Sequence, residues 1–225
     1  MIVRRQTRAS DAPFVAQITQ VRYERDTQDL TTPDGCWDLV VRHVEGRVEL
    51  LQTGVITRPV VLPYRAGDEY LAISFKPGVF MPGLPGERMV DRAQLWPTPT
   101  PGSFWVHQEK LEIPTFENAE GLVEHLVRRE LLVRDEIVEG VVEERPRATT
   151  PRSLQRHFLR ALGMGAKTLQ QIQRACAAVE RLRRGERPVD VASELGYADQ
   201  AHLTRALRRF MGCTPGALQA AHPAR

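Results

Sequence analysis

The chain has 225 residues, 42% of them hydrophobic, with 31 Lys and Arg against 28 Asp and Glu and three cysteines. That length holds one large or two modest domains with real cores. No run of about 18 apolar residues is present to span a membrane, the N-terminus Met-Ile-Val-Arg-Arg-Gln has no apolar signal region, and Cys36, Cys176 and Cys213 are too few and too scattered for a metal pattern or a disulfide framework, which fits a reducing cytoplasm.

Residues 1 to about 12 carry no periodic pattern and are expected to be poorly ordered. Phe14 to Arg25 reads as a short helix or strand. Pro33-Asp34-Gly35 is a turn, and Trp37 to Val44 is a strand rich in Val and Leu. Glu45-Gly46 connects it tightly to Arg47–Leu51, which pairs back as a hairpin. Thr57 to Leu62 and Tyr70 to Phe75 are further strands, the second entered through the turn Arg65-Ala-Gly-Asp68. Short strands at this spacing favour an antiparallel barrel or sandwich. From Lys76-Pro77-Gly78 to Pro101 runs a Pro/Gly-rich loop holding Phe80, Met81, Leu84, Met89, Leu95 and Trp96, too apolar to be simply solvated. Asn118 is the expected cap of a helix with Leu122, Val123 and Leu126 inward, ending near Leu131.

Little in this half suggests chemistry. His43, His107 and His125 are far apart and in different contexts, so no metal site is expected. Asp34 and Asp38 flank a turn, where a structural Asx role is favoured over general-acid work. No Gly-rich phosphate loop or Ser/His/Asp arrangement occurs, so neither an enzyme nor a cofactor is expected. Trp37, Phe75, Phe80, Met81 and Trp96 form the candidate effector pocket at the mouth of the β-rich half, with ordinary core packing as the alternative role for the same residues.

The remaining residues read as helices. Asp135 caps a helix carrying Ile137, Val138, Val141 and Val142, which Gly140 weakens and Pro146 stops early. Thr150 is an N-cap and Pro151 a first helical residue. Leu154, Phe158 and Ala161 then face inward, and Arg152, Arg156 and Arg160 outward. Ala166 to Arg184 forms a long helix, about 28 Å at 1.5 Å per residue, with a buried stripe of Leu169, Ile172, Cys176 and Val179. Pro188 starts a short helix with Val191, Ala192 and Leu195 apolar, Gly196 ends it, and Asp199 caps another with Leu203, Leu207 and Phe210 inward and Ala201, Arg205 and Arg208 outward. Two short helices, a tight turn and an outward basic face describe a helix-turn-helix, whose second helix enters the DNA major groove. The segment Thr150–Gly163 repeats Asp199–Gly212 at an offset of 49 residues, so there are two such units. Residues 151–225 hold 13 basic and 5 acidic residues, a net of +8, leaving −5 on the remainder. That is the footprint of a nucleic-acid module joined to a partner domain.

Ala192, Gly196-Tyr197, Asp199-Gln200, His202-Leu203, Arg205, Phe210 and Gly212-Cys-Thr214-Pro215 resemble the signature of AraC/XylS-type transcription regulators. The resemblance implies a DNA-binding region of two helix-turn-helix units. The first unit departs from the pattern, because the usual Ala and Gly of its turn are absent, and it is expected to be short and less well braced. Pro33-Asp34-Gly35, Asp38-Leu39-Val40, Thr53-Gly54, Thr57-Arg-Pro59 and Ile73-Ser-Phe75-Lys76-Pro77-Gly78 resemble an uncharacterised N-terminal domain found ahead of such modules. That resemblance implies a β-rich sensory or dimerisation domain.

The expected architecture is α+β, with a β-rich N-terminal domain at 1–115, a connecting helix at 116–133 and an all-α domain at 134–225. The expected base contacts are Arg152, Gln155 and Arg156 from one helix and Gln200, His202 and Arg205 from the other, since Arg pairs with guanine and Gln with adenine. Arg160, Lys167, Thr204, Arg208 and Arg209 are expected at phosphates. Double-stranded DNA is the expected partner, with a small-molecule effector, RNA polymerase and a second copy as further candidates and no membrane. Two other readings stay open: a small-molecule-binding protein or enzyme with a degenerate helix-turn-helix, and a protein–protein adaptor.

Overall fold

The computed structural model describes residues 3–98, 100, 102–106 and 108–221. His107, one of the histidines weighed above, lies outside the described residues. The N-terminal half runs β1 (Val3–Arg8), β2 (Val15–Tyr23), β3 (Thr27–Thr31), β4 (Trp37–Val44), β5 (Arg47–Thr53), β6 (Val60–Tyr64), β7 (Glu69–Phe75), β8 (Val79–Phe80), α1 (Gly86–Met89), β9 (Ala93–Trp96), β10 (Ser103–Val106), β11 (Glu109–Glu112), α2 (Ala119–Arg128) and β12 (Val133–Arg134). Six strands form one antiparallel sheet in the order β1-β2-β7-β4-β5-β9. Its centre follows from alternation: Trp37, Leu39 and Val41 of β4 stand opposite Phe75, Ile73 and Leu71 of β7, and all six are buried. The Trp37 and Phe75 rings stack at 4.2 Å.

Several expectations need correction. Residues 3–8 are ordered as edge strand β1, paired along their whole length with β2. Their side chains are exposed or half-buried, so backbone pairing supplies the order and no apolar alternation marks it. Arg8 also reaches α2: it pairs with Glu120 and donates to the Phe116 carbonyl at 2.6 Å. That guanidinium holds the Glu120 carboxyl down at about 2. The Pro/Gly-rich loop carries β8, α1 and β9, and β9 closes one edge of the sheet. Asn118 does not cap α2 with its side chain; Asn118 Oδ1 accepts the Thr115 N–H at 2.7 Å instead. β3, β10 and β11 fall in stretches where no strand was expected, while the strand expected at Thr57–Leu62 begins at Val60 as β6 and pairs with β3.

The C-terminal half is helical: α3 (Glu136–Val142), α4 (Pro151–Leu162), α5 (Ala166–Arg183), α6 (Pro188–Glu194), α7 (Gln200–Met211) and α8 (Pro215–Ala221). Asp135 Oδ1 accepts the Ile137 and Val138 N–H groups, Thr150 Oγ1 accepts from Ser153, and Asp199 Oδ1 from His202, so all three expected caps are made. The repeat survives in the backbone: α4 and α7 both end on a left-handed glycine, Gly163 at φ 72° and Gly212 at φ 67°. On α5 the buried side is Leu169, Ile172, Ala175, Ala178 and Leu182, while Cys176 and Val179 are only half-buried.

One continuous core joins the two halves. Cys176 Sγ donates to the Pro33 carbonyl at 3.4 Å. α1 and α4 approach each other backbone to backbone: a Cβ on Gly86 would lie 2.6 Å from the Leu162 nitrogen and 2.5 Å from the Gly163 nitrogen. Backbone cannot yield there as a flexible side chain would. Gly86→Ala is therefore expected to cost about 1–3 kcal/mol of stability. Gly121 in α2 has nothing within 4 Å of an added Cβ, so Gly121→Ala should stabilise by about 0.5–1 kcal/mol through helix propensity. Urea midpoints moving in opposite directions bear this out; equal midpoints mean that α1 does not seat on α4 as described.

Candidate nucleic-acid interface

The second helix-turn-helix is built on α6 and α7. Val191 and Ala192 of α6 pack with Leu203, Leu207 and Phe210 of α7, all buried. Tyr197, which sequence inspection gave only a turn role, is buried beneath the Arg174 guanidinium, 4.5 Å from its ring centroid, and meets the His202 ring edge-on at 5.2 Å. That packing sets the start of α7. His202 Nδ1 accepts the Ala198 N–H at 3.3 Å, which places the proton of the neutral ring on Nε2. Gln200 and Arg205 are exposed beside it.

The first unit is braced differently from the second. His157 Nδ1 on α4 lies 2.7 Å from Asp135 Oδ2, while the other oxygen of that buried carboxylate caps α3. One side chain thus fixes α3 and α4 together. Gly140 matters here for space: an added Cβ would stand 2.8 Å from the Arg145 carbonyl oxygen, where the chain leaves α3. Phe158, Ala161 and Leu162 are buried, whereas Arg152, Gln155, Arg156 and Arg160 are exposed. These exposed residues line an open groove whose opposite wall is Pro82, Pro85 and Glu87 from the N-terminal half.

Charge pairing divides the basic residues of the helical half. Arg181 pairs with Glu186 and Glu194, Arg184 with Glu180, and Arg187 with Asp190. Hydrogen bonding to Arg187 lowers the Asp190 pKa. Among the described residues, Arg152, Arg156 and Arg160 on α4, Lys167 on α5, and Arg205, Arg208 and Arg209 on α7 make no ion pair, and all are exposed. Exposed cations left without carboxylates on two repeated helices form a surface for a polyanion.

Residues 148–221 match a family model described as a helix-turn-helix domain. This stretch is an AraC-type helix-turn-helix domain. No curated protein and no solved structure matches the chain. The AraC-type domain makes the protein a DNA-binding regulator, a kind generally without enzymatic activity. It extends past the last expected helix to α8, which sequence inspection missed; Thr214 Oγ1 accepts the Ala217 N–H at its start, and Leu218 is buried.

The structure distributes the other candidate residues unevenly. Thr204 Oγ1 donates to the Gln200 carbonyl at 2.9 Å, which occupies the proton it would offer a phosphate. Arg209 lies over the Phe210 ring at 4.7 Å, and Arg160 over the Phe80 ring at 5.1 Å. The five effector-pocket residues do not share one cavity. Trp37 and Phe75 stack in the core, with Trp37 Nε1 donating to the Val79 carbonyl at 2.7 Å. Met81 and Trp96 line a separate cavity of about 390 Å³. Asp34 Oδ1 accepts the Cys36 N–H at 2.8 Å, the Asx geometry of a turn. Among the described residues, no group of three or more His, Cys, Asp or Glu side chains is placed to hold a metal ion, and no helix is long and apolar enough to cross a membrane.

Proposed function

We propose that the protein is a sequence-specific transcription regulator of the cytoplasm that reads DNA with α4 and α7 and is controlled through its N-terminal domain. The observation carrying this reading is the set of exposed cations on the two repeated helices that make no ion pair among the described residues, while Arg181, Arg184 and Arg187 of the same half are engaged with carboxylates. Arg205, Gln200 and His202 belong to the N-terminal part of α7, the end that approaches base edges in a helix-turn-helix. On α4 the base contacts are Arg152, Gln155 and Arg156, of which Arg156 matches Arg205 at the 49-residue offset. Arg160, Lys167, Arg208 and Arg209 supply phosphate contacts. Thr204 joins them only by releasing the Gln200 carbonyl. Boundaries at residues 115 and 134 divide the chain into the β-rich domain, a connecting helix and the AraC-type domain, which share one packed core, and RNA polymerase and a second copy are the natural further partners of such a regulator.

Arg205 and Arg208 provide the test, because they have the same charge and the same exposed setting one turn apart. Arg205→Ala is expected to cost about 1–3 kcal/mol on the preferred duplex and to relax preference at one or two base pairs. Arg208→Ala should weaken preferred and scrambled duplexes by similar factors and reduce the salt slope by about 1. Titrations of both duplexes at three salt concentrations separate the two roles. Equal losses on both duplexes for Arg205→Ala would mean that Arg205 grips phosphate and that α7 does not read bases there.

A further inference from the structure

The cavity of about 390 Å³ lies between the start of the Pro/Gly-rich segment, strands β9 and β10, and the end of α2. That is the size of a small-molecule site. Its walls are mostly apolar, with Met81, Leu84, Trp96, Trp105 and Leu131 contributing. Trp96 is 8% exposed and its Nε1–H is buried without an acceptor among the described residues, so this wall is not a completed core. Trp105 is 40% exposed, unusual for an indole unless its ring serves a ligand or a partner.

Among the lining residues, Glu130 is the sole charge. Its position is costly in two ways. Glu130 N donates to the Val127 carbonyl and Leu131 N to the Leu126 carbonyl, a helix end that normally takes glycine, and Glu130 adopts φ 55° to make it. A carboxylate at a helix C-terminus also meets the negative end of the dipole. Glu130 makes no ion pair among the described residues. The same backbone conformation recurs at Glu144, so its coincidence with a cavity walled by two indoles carries the argument. Two indole faces and one uncompensated carboxylate favour a cation and disfavour an anion.

The cavity also borders the DNA-reading half. Leu84 N donates to the Met81 carbonyl at 3.0 Å, closing a turn that leads directly into α1. One side of this segment, Met81 to Leu84, lines the cavity. Pro82, which lines both cavity and groove, and the following Pro85 and Glu87 face Arg152, Gln155 and Arg156 across the groove on α4. Gly86 meets the backbone at Leu162 and Gly163 with no slack. A displacement of Leu84 by a bound molecule therefore moves α1 against the end of α4.

We propose that this cavity binds a lipophilic aromatic cation, and that occupancy is transmitted through the Met81–Met89 segment to α4; the transmission rests on the DNA-binding reading above. Three compounds of one shape test it by calorimetry on the full chain: 2-naphthylmethylamine as cation, 2-naphthylmethanol as neutral form and 2-naphthoate as anion. The amine is expected to bind about tenfold more tightly than the alcohol, and naphthoate more weakly than either. Glu130→Gln should bring amine and alcohol within about threefold of each other, and Trp105→Ala should weaken both. The affinity of the wild type for a DNA duplex, with and without amine at a concentration that just fills the wild-type cavity, should differ by at least about threefold, with a smaller difference for Glu130→Gln at the same amine concentration. If none of the three binds, or if alcohol or naphthoate binds as tightly as the amine, the ligand assignment is overturned whatever DNA does. If the amine binds as expected and duplex affinity does not move, transmission through Met81–Met89 is overturned. If the amine binds as expected and the chain binds no duplex under any condition, the DNA-binding reading fails while the cavity assignment stands.

Discussion

Raising the salt from about 50 to about 200 mM is expected to lower the affinity of the full chain for duplex DNA by roughly three to four orders of magnitude. The unpaired cations on α4, α5 and α7 are the source of the effect, because each one set against a phosphate releases a condensed counterion. With both helix-turn-helix units engaged, about six to eight phosphates are neutralised and log K falls against log salt with a slope of about −5 to −7. A slope of about −2 would correspond to α7 alone, through Arg208 and Arg209. That outcome would mean that α4 stays behind the Pro82–Glu87 wall and does not reach the duplex. A flat response sinks the DNA-binding claim altogether. The measurement belongs on the full chain, because Phe158, Ala161 and Leu162 share one core with the β-rich half.

Leu203→Ala should lower stability by about 2–5 kcal/mol. Leu203 is fully buried between α7 and its supporting elements, so the substitution loses the transfer energy of the removed carbons and leaves a cavity that a well-packed helix pair cannot close. The buried set Leu203, Leu207, Phe210 and Met211 positions α7 relative to α5 and α6. Loosening it should therefore remove DNA binding before the N-terminal half unfolds. Chemical denaturation followed separately by tryptophan fluorescence, which reports the N-terminal half where all three tryptophans lie, and by far-UV dichroism would show the order of events. A variant that melts like the wild type would mean that Leu203 is not packed as described.

What the sequence determined by itself was local in origin. The caps at Asp135, Thr150 and Asp199, the prolines opening α4 and α6, and the inward stripe on α7 depend on chemistry within a few residues, and each appears in the structure where the residue pattern puts it. The two-fold repeat was readable for the same reason, since both copies obey the same local rules down to their closing glycines. The central strands β4, β5 and β7 were readable from apolar runs bounded by turns. Tertiary structure decided the rest. Strand β1 is held by backbone pairing and by Arg8 reaching Glu120 across 112 residues, and neither leaves a periodic trace. The brace between His157 and Asp135 joins residues 22 apart that have no signature in common. Which aromatics make core and which line a cavity was also beyond local reading: Trp37 and Trp96 are both buried indoles on strands, and only the packing of β10 and the end of α2 opens space beside one of them. The facing of α4 toward Pro82, Pro85 and Glu87 depends likewise on how two halves dock, a choice made by many weak contacts at long separation that no short stretch of sequence encodes.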